Sequence, residues 1–181
     1  MYKICFTGYR PFKLPFAMSE KDSCYNLFVQ KSRQLIQSQI ELGYTYFISG
    51  MAQGTDMLFA EIVLELKKTY PHVMLECALP FEGQTSKWSD EIKERYKNIL
   101  NSCDKVTVIC NSYSKSCFLK RNKYMVDSCD KVIAVYDGKK GGTRFTIDYA
   151  RKKGKQVMVI DPSGLIYSQE SINEGEAGGK S

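Results

Sequence analysis

Short apolar runs alternate with amphipathic stretches from the first residue to about residue 162. Runs rich in β-branched and aromatic residues predict strands at Lys3–Thr7, Tyr46–Ser49, Val73–Leu79, Lys105–Ile109, Lys131–Tyr136 and Gln156–Ile160. Between them, apolar residues at helical spacing predict helices over Asp22–Leu42, Thr55–Thr69, Ser89–Ser102, Phe118–Ser128 and Thr143–Lys152, with Gly43 and Gly154 as stops. Regular alternation of this kind builds βαβ units. It predicts one α/β domain over residues 1–162, with a mainly parallel sheet flanked by helices on both faces. The continuous apolar runs VTVIC and VIAVY read as strands buried on both sides. Beyond Pro162 the periodicity stops and Gly, Ser and Glu accumulate, so residues 163–181 read as a polar, flexible tail. Within it, Leu165, Ile166 and Tyr167 are candidates for one last packed turn.

Composition narrows the class. A chain of 181 residues with 43% hydrophobic and 12% aromatic content sustains one ordinary core and is not generally disordered. No apolar run approaches the roughly 20 residues that cross a bilayer. The N-terminus MYKICFTGYRP lacks the charged, apolar and small-residue order of a signal peptide, so a cytoplasmic location away from membranes is expected. Seven cysteines, an odd number with no CxxC pair, argue against a disulfide framework or zinc site; no metal or other cofactor is assigned. Cys5 and Cys77 lie in apolar runs, where a reduced cysteine serves as a small hydrophobe. His72, the sole histidine, follows a proline ahead of a strand, which suits a loop rather than a Ser-His or Cys-His mechanism.

The formal charge of +6 is concentrated. Lys115, Lys120, Arg121 and Lys123 form one basic cluster, and Lys139, Lys140, Arg144, Arg151, Lys152, Lys153 and Lys155 a second. Such patches favour anionic partners, although cations at the end of a helix also complement its dipole.

Candidate chemistry lies at three predicted strand ends. In TGYRP, Thr7 and Gly8 close the first strand and Arg10 follows. In SGMAQGTD, Ser49 and Gly50 close a strand, and Gly54, Thr55 and Asp56 open a helix. Further on, Arg121 and Asn122 ride a helix ahead of the strand whose far turn, Gly141, Gly142 and Thr143, opens the next helix. Ligands of open parallel sheets bind beyond the carboxyl ends of the strands, so the three turns should converge. The free N–H groups of a helix start beside fixed positive charge attract phosphate or carboxylate. Neither a Walker loop nor a GxGxxG fingerprint is present, which removes any sequence warrant for ATP hydrolysis or a bound dinucleotide. Asp56 either complements the helix start or holds a ribose hydroxyl. Phe81 and Trp88 suit stacking on a base, while Trp88 beside Ser89 equally suits a hydrophobic staple ahead of a capped helix.

SGMAQGTD resembles the SGxAxGxD turn of the DprA/Smf proteins, and the stretch from Lys120 to Ile160 resembles their RNR-strand-SGTxxTxxxAxxxG segment. With TGYxPF at the N-terminus, PFxxQxxxW over Pro80 to Trp88, and Tyr96, the chain is similar to the YpsA-like family of the SLOG superfamily over about residues 1–162. The resemblance implies a Rossmann-like sheet whose pocket takes a nucleotide or nucleotide-derived ligand, and related folds often form homodimers. SLOG also includes the LOG phosphoribohydrolases, which cleave nucleoside monophosphates at the N-glycosidic bond. Arg121 matches their arginine, but their catalytic glutamate position is Thr146 here, and Tyr136 to Lys140 replace their proline and first glycine pair. A hydroxyl cannot supply the anion that stabilises an oxocarbenium-like transition state. Thr146 is therefore expected to line the ligand site without catalysis, and no catalytic residue is assigned. Phosphoribohydrolase activity and DprA-like binding of single-stranded nucleic acid are the alternatives.

Overall fold

A computed structural model describes residues 1–163 in full and the backbone of residues 166–170. Six parallel strands, β1 (Tyr2–Thr7), β2 (Tyr44–Ser49), β3 (Met74–Phe81), β4 (Lys105–Cys110), β5 (Lys131–Val135) and β6 (Gln156–Asp161), join a seventh, antiparallel one, β7 (Ile166–Glu170). The sheet order is β4-β3-β2-β1-β5-β6-β7. Strand order reverses between β1 and β5, and such a switch point opens a crevice at the carboxyl ends of the strands.

The helices follow the predicted pattern within a few residues: α1 (Ser23–Glu41), α2 (Thr55–Lys67), α3 (Asp90–Ser102), α4 (Cys117–Asp127) and α5 (Gly142–Lys152). Asp22 starts α1 by accepting the backbone N–H groups of Cys24 and Tyr25 at 2.9 and 3.2 Å. Ser89 occupies the corresponding place before α3 but makes no capping bond with its side chain. Trp88 instead packs edge-on against Tyr96 of α3, with ring centroids 5.5 Å apart, beside the core.

Alternation along each strand sorts the core into two layers. Ile4, Phe6, Phe47, Leu75, Cys77, Ile133 and Val135 meet α1, α2 and α3 on one face. Cys5, Ile48, Ala78, Val132 and Ala134 meet Met125 and Val126 of α4 and Ile147 and Ala150 of α5 on the other. β5 is buried throughout, as its apolar run predicts. β4 is not. It forms an outer edge of the sheet, where Val106 and Val108 are 45% and 40% exposed, so the run VTVIC belongs to a strand covered on one side only. An unbroken apolar run looks the same in an edge strand and a central one, because burial depends on what packs above it.

Glu76 stitches the β4 side together. Its carboxylate accepts hydrogen bonds from Tyr46, Thr107 and Tyr124, each at 2.6 Å, and faces Lys105 at 3.3 Å. Burial pushes this carboxyl up, but the three hydroxyls and Lys105 outweigh burial and leave it below its ordinary range.

At the opposite edge, part of the stretch expected to be tail forms β7, pairing Val157 to Asp161 with Glu170 to Ile166. An open edge on β6 would leave a row of unpaired backbone groups, which β7 satisfies. Gly164, Leu165 and residues 171–181 of the expected tail lie outside the described residues.

Candidate functional site

The three strand ends meet in one cleft of about 220 Å³, lined by Thr7, Gly8, Tyr9, Arg10, Phe12, Lys13, Ala52, Asp56, Phe118, Arg121, Asn122, Gly142 and Thr143. Local sequence sets each wall.

The first wall is the segment after β1. Tyr9 is pinned from two sides. Its backbone carbonyl accepts from the backbone N–H and hydroxyl of Thr55, both at 3.2 Å, and its own hydroxyl donates to Asp137 beyond β5. Burial and the bond to Asp137 push the Tyr9 phenol up to about 12. Burial raises the Asp137 carboxyl as well, but hydrogen bonds from Lys139 and Tyr9 outweigh it and bring it down to about 2. Gly54 makes the junction with α2 feasible. Its φ is +100°, and a Cβ there would stand 2.5 Å from the Tyr9 carbonyl oxygen.

The second wall is the turn from β2 into α2. Ser49 donates its hydroxyl to the Asp56 carbonyl at 2.8 Å and accepts the Met51 N–H at 3.1 Å. Met51 adopts φ +56°, unusual for a residue with a side chain, and is fully buried. Gln84 supports this turn, donating to the Met51 carbonyl at 3.4 Å and to the Tyr96 hydroxyl at 3.0 Å. The residues of PFxxQxxxW therefore brace the cleft from behind rather than line it, and neither Phe81 nor Trp88 reaches it.

The third wall is a relay through α4 and α5. Arg121 donates Nη1 to the Gly50 carbonyl and Nε to Asn122 Oδ1, the latter at 2.8 Å. Asn122 donates to the Thr146 hydroxyl at 3.0 Å, and Thr146 donates to the Gly142 carbonyl at 2.9 Å in the first turn of α5. A Cβ at Gly50 would stand 2.5 Å from Arg121 Nη1, so any larger residue here would displace the guanidinium.

Asp56 and Arg121 are each only 5% exposed. Burial pushes the Asp56 carboxyl up to about 6 despite the opposing pull of Arg121, the Ala52 N–H and Arg10. Burial likewise lowers the Arg121 guanidinium, against the pull of Asp56. The cleft thus holds two buried, oppositely charged groups, with Arg10 exposed at its rim and the N-terminus of α5 on its wall.

Of the residues expected at the site, Thr7, Gly8, Arg10, Asp56, Arg121, Asn122, Gly142 and Thr143 line the cleft. Ser49, Gly50, Gly54 and Thr55 form its backing, and Gly141 precedes α5 with Lys13 Nζ close by. Thr146 is completely buried and holds Asn122 instead of lining the cleft. Ala52 of SGMAQGTD also lines it, as do Tyr9, Phe12, Lys13 and Phe118, which lie outside the residues expected there. Tyr9, Phe12 and Lys13 sit within TGYRPFK, so proximity to Arg10 was the available signal. Phe118 carried none.

The basic clusters are partly neutralised. Lys139 pairs with Asp137, Arg144 with Asp148, and Lys153 with Asp127. Asp148, the nearest carboxylate to Thr146 in sequence, is thereby engaged on the exposed face of α5. His72 is exposed, edge-on to Tyr70. All seven cysteines are unpaired, and no group of three or more His, Cys, Asp or Glu among the described residues could hold a metal. No helix among these residues is long and apolar enough to cross a membrane.

The family model described as the YspA SLOG family, YpsA, matches residues 4–163. The chain belongs to this YpsA SLOG family. Among relatives, the uncharacterized SPbeta prophage-derived protein YoqJ of Bacillus subtilis strain 168 is 36% identical over 130 residues, 64% of this chain and 76% of its own. A UPF0398 protein of Halalkalibacterium halodurans is 29% identical over 185 residues, 96% of each chain. Among solved structures, DNA processing protein A of Streptococcus pneumoniae superposes with a TM-score of 0.60 at 18% identity, over 96% of this chain and 52% of that one. Its Helicobacter pylori counterpart, described for its single-stranded DNA binding mode, gives 0.57 at 19% identity, over 88% of this chain and 65% of that one. At such identities the likeness establishes the family's Rossmann-like α/β fold, and the chain spans only about half to two thirds of those two proteins.

Proposed function

We propose that the cleft binds a nucleotide or nucleotide-derived ligand through its phosphate, and that the protein acts by binding rather than by cleaving it. The observation that carries this reading is the convergence of buried Arg121, the start of α5 and Arg10 on one cleft. A guanidinium held by Gly50 and Asn122 is preorganised for an anion, and the helix start adds backbone donors. Asp56 in the same cleft suits a ribose hydroxyl. Binding without cleavage is supported by Thr146, whose hydroxyl is committed to Asn122 and Gly142, and by the pairing of Asp148 with Arg144. The experiment is a thermal-shift panel of AMP, ADP-ribose, NAD and cyclic nucleotides. A ligand at 100 times its Kd stabilises by about 2.7 kcal/mol, and no shift from any member would reject the reading. Incubation with nucleoside monophosphates should release no free base.

Single-stranded nucleic acid is the second reading. It is favoured by the exposed cations Lys120 and Lys123 on α4 and by the DNA-binding description of the Helicobacter pylori neighbour. It requires affinity that falls steeply with salt and weakens on removing those two charges.

A further inference from the structure

We infer that the ligand of this cleft carries an aromatic base, and that the base stacks on Phe12 at the rim while the phosphate lies inside. The inference rests on the phosphate-binding reading above. Size comes first. Pockets that enclose a small ligand run from about 300 Å³ upward, so a cleft of about 220 Å³ is too small to enclose a whole nucleotide, and a ligand held by its phosphate inside would extend to the rim.

What stands at the rim is Phe12. It is 79% exposed, the highest value among the exposed large apolar side chains of the described residues, and it contributes to the cleft lining. A single exposed hydrophobic side chain is ordinary on a surface, but the backbone that presents this one is fixed. Pro11–Lys13 forms a short 3-10 turn, closed by Lys13 N–H to the Arg10 carbonyl at 3.0 Å and Leu14 N–H to the Pro11 carbonyl at 3.2 Å. Tyr9 anchors the turn on one side, and Leu14 and buried Phe16 anchor it on the other. Leu14 and Phe16 account for the apolar packing of this segment. Phe118, the other phenylalanine of the lining, already meets the Arg10 guanidinium at 6.0 Å and the edge of Phe81 at 5.9 Å. Phe12 has no ring or cation contact among the described residues. An exposed aromatic ring carried on a fixed backbone turn at the lip of an anion cleft suits the base of a nucleoside 5′-phosphate, whether free or at the end of a single strand.

The test is titration calorimetry with AMP, UMP, ribose 5-phosphate, inorganic phosphate and a 5′-phosphorylated oligoadenylate, on the unaltered protein and on Phe12→Ala and Phe12→Tyr. Stacking should make AMP bind about tenfold or more tighter than ribose 5-phosphate. Phe12→Ala should abolish that difference while leaving ribose 5-phosphate unchanged, and Phe12→Tyr should restore it. Because the side chain is exposed, the unfolding midpoint of Phe12→Ala should match that of the unaltered protein. Equal affinity for AMP and ribose 5-phosphate would overturn the inference while leaving the phosphate reading intact, as would an AMP preference that survives Phe12→Ala. Failure of every phosphate compound to bind would reject both. Comparison of AMP with the oligoadenylate assigns the source of the base, with the same dependence on Phe12 required of either.

Discussion

Asp56 and Arg121, each expected at the ligand site from the sequence, are buried together at one cleft, and burial changes their chemistry. The Asp56 carboxyl rises from 3.8 to about 6, so between those values the folded chain keeps a proton that the unfolded chain has lost. The stability this group contributes is therefore fully present below about pH 4 and is lost as pH rises through 6. A displacement of that size corresponds to about 3 kcal/mol. Asp56→Asn, which imitates the protonated form, should raise stability at pH 7.5 by up to that amount, with the gain vanishing near pH 4, as followed by urea unfolding across pH. Arg121→Ala should do the reverse at neutral pH. It strips a buried carboxylate of its nearest cation and should cost about 3 kcal/mol together with ligand binding, read from the same unfolding curves and from calorimetry. Neither effect is visible in the sequence, because each depends on the segments packed around the two side chains.

Among elements, the periodicity located the five α-helices and six parallel strands of the described residues but not the 3-10 turn Pro11–Lys13, because 3.6-residue and continuous apolar patterns report which face must leave water. It could not locate the junctions. The contact between the segment after β1 and the start of α2 depends on Gly54, held at φ +100° with the Tyr9 carbonyl pressed against its missing side chain. Gly54→Ala should cost well over about 1 kcal/mol and lower the melting temperature accordingly, since both the backbone conformation and the backbone oxygen oppose a Cβ. Thr146 makes the same point from α5. Expected to line the cleft from its place after the glycine turn, it is buried and holds Asn122 inside the α4–α5 contact instead.

For the molecule as a whole, the two sheet edges differ. β6 is covered by β7, whereas β4 leaves Val106 and Val108 partly open to solvent. Ending the chain at residue 163 should remove β7, expose the β6 edge, lower the melting temperature and increase self-association by light scattering. The distribution of positive charge is likewise shaped by the fold, since much of the second basic cluster is paired with Asp137, Asp148 and Asp127, while Arg10 and Lys13 stand exposed at the cleft. The order of elements, the parallel sheet with helices on both faces, and the three strand ends that meet at the cleft were legible in the amino-acid sequence, because alternating apolar patterns and turn residues are local properties of a chain. Only the tertiary structure decided that VTVIC lies at an edge, that Ile166–Glu170 is a strand, that Thr146 is a buried support, and that Phe12 stands at the mouth of the cleft. Each of these depends on which distant segment packs alongside, and burial, pairing and shifted protonation arise from contacts that no local pattern records.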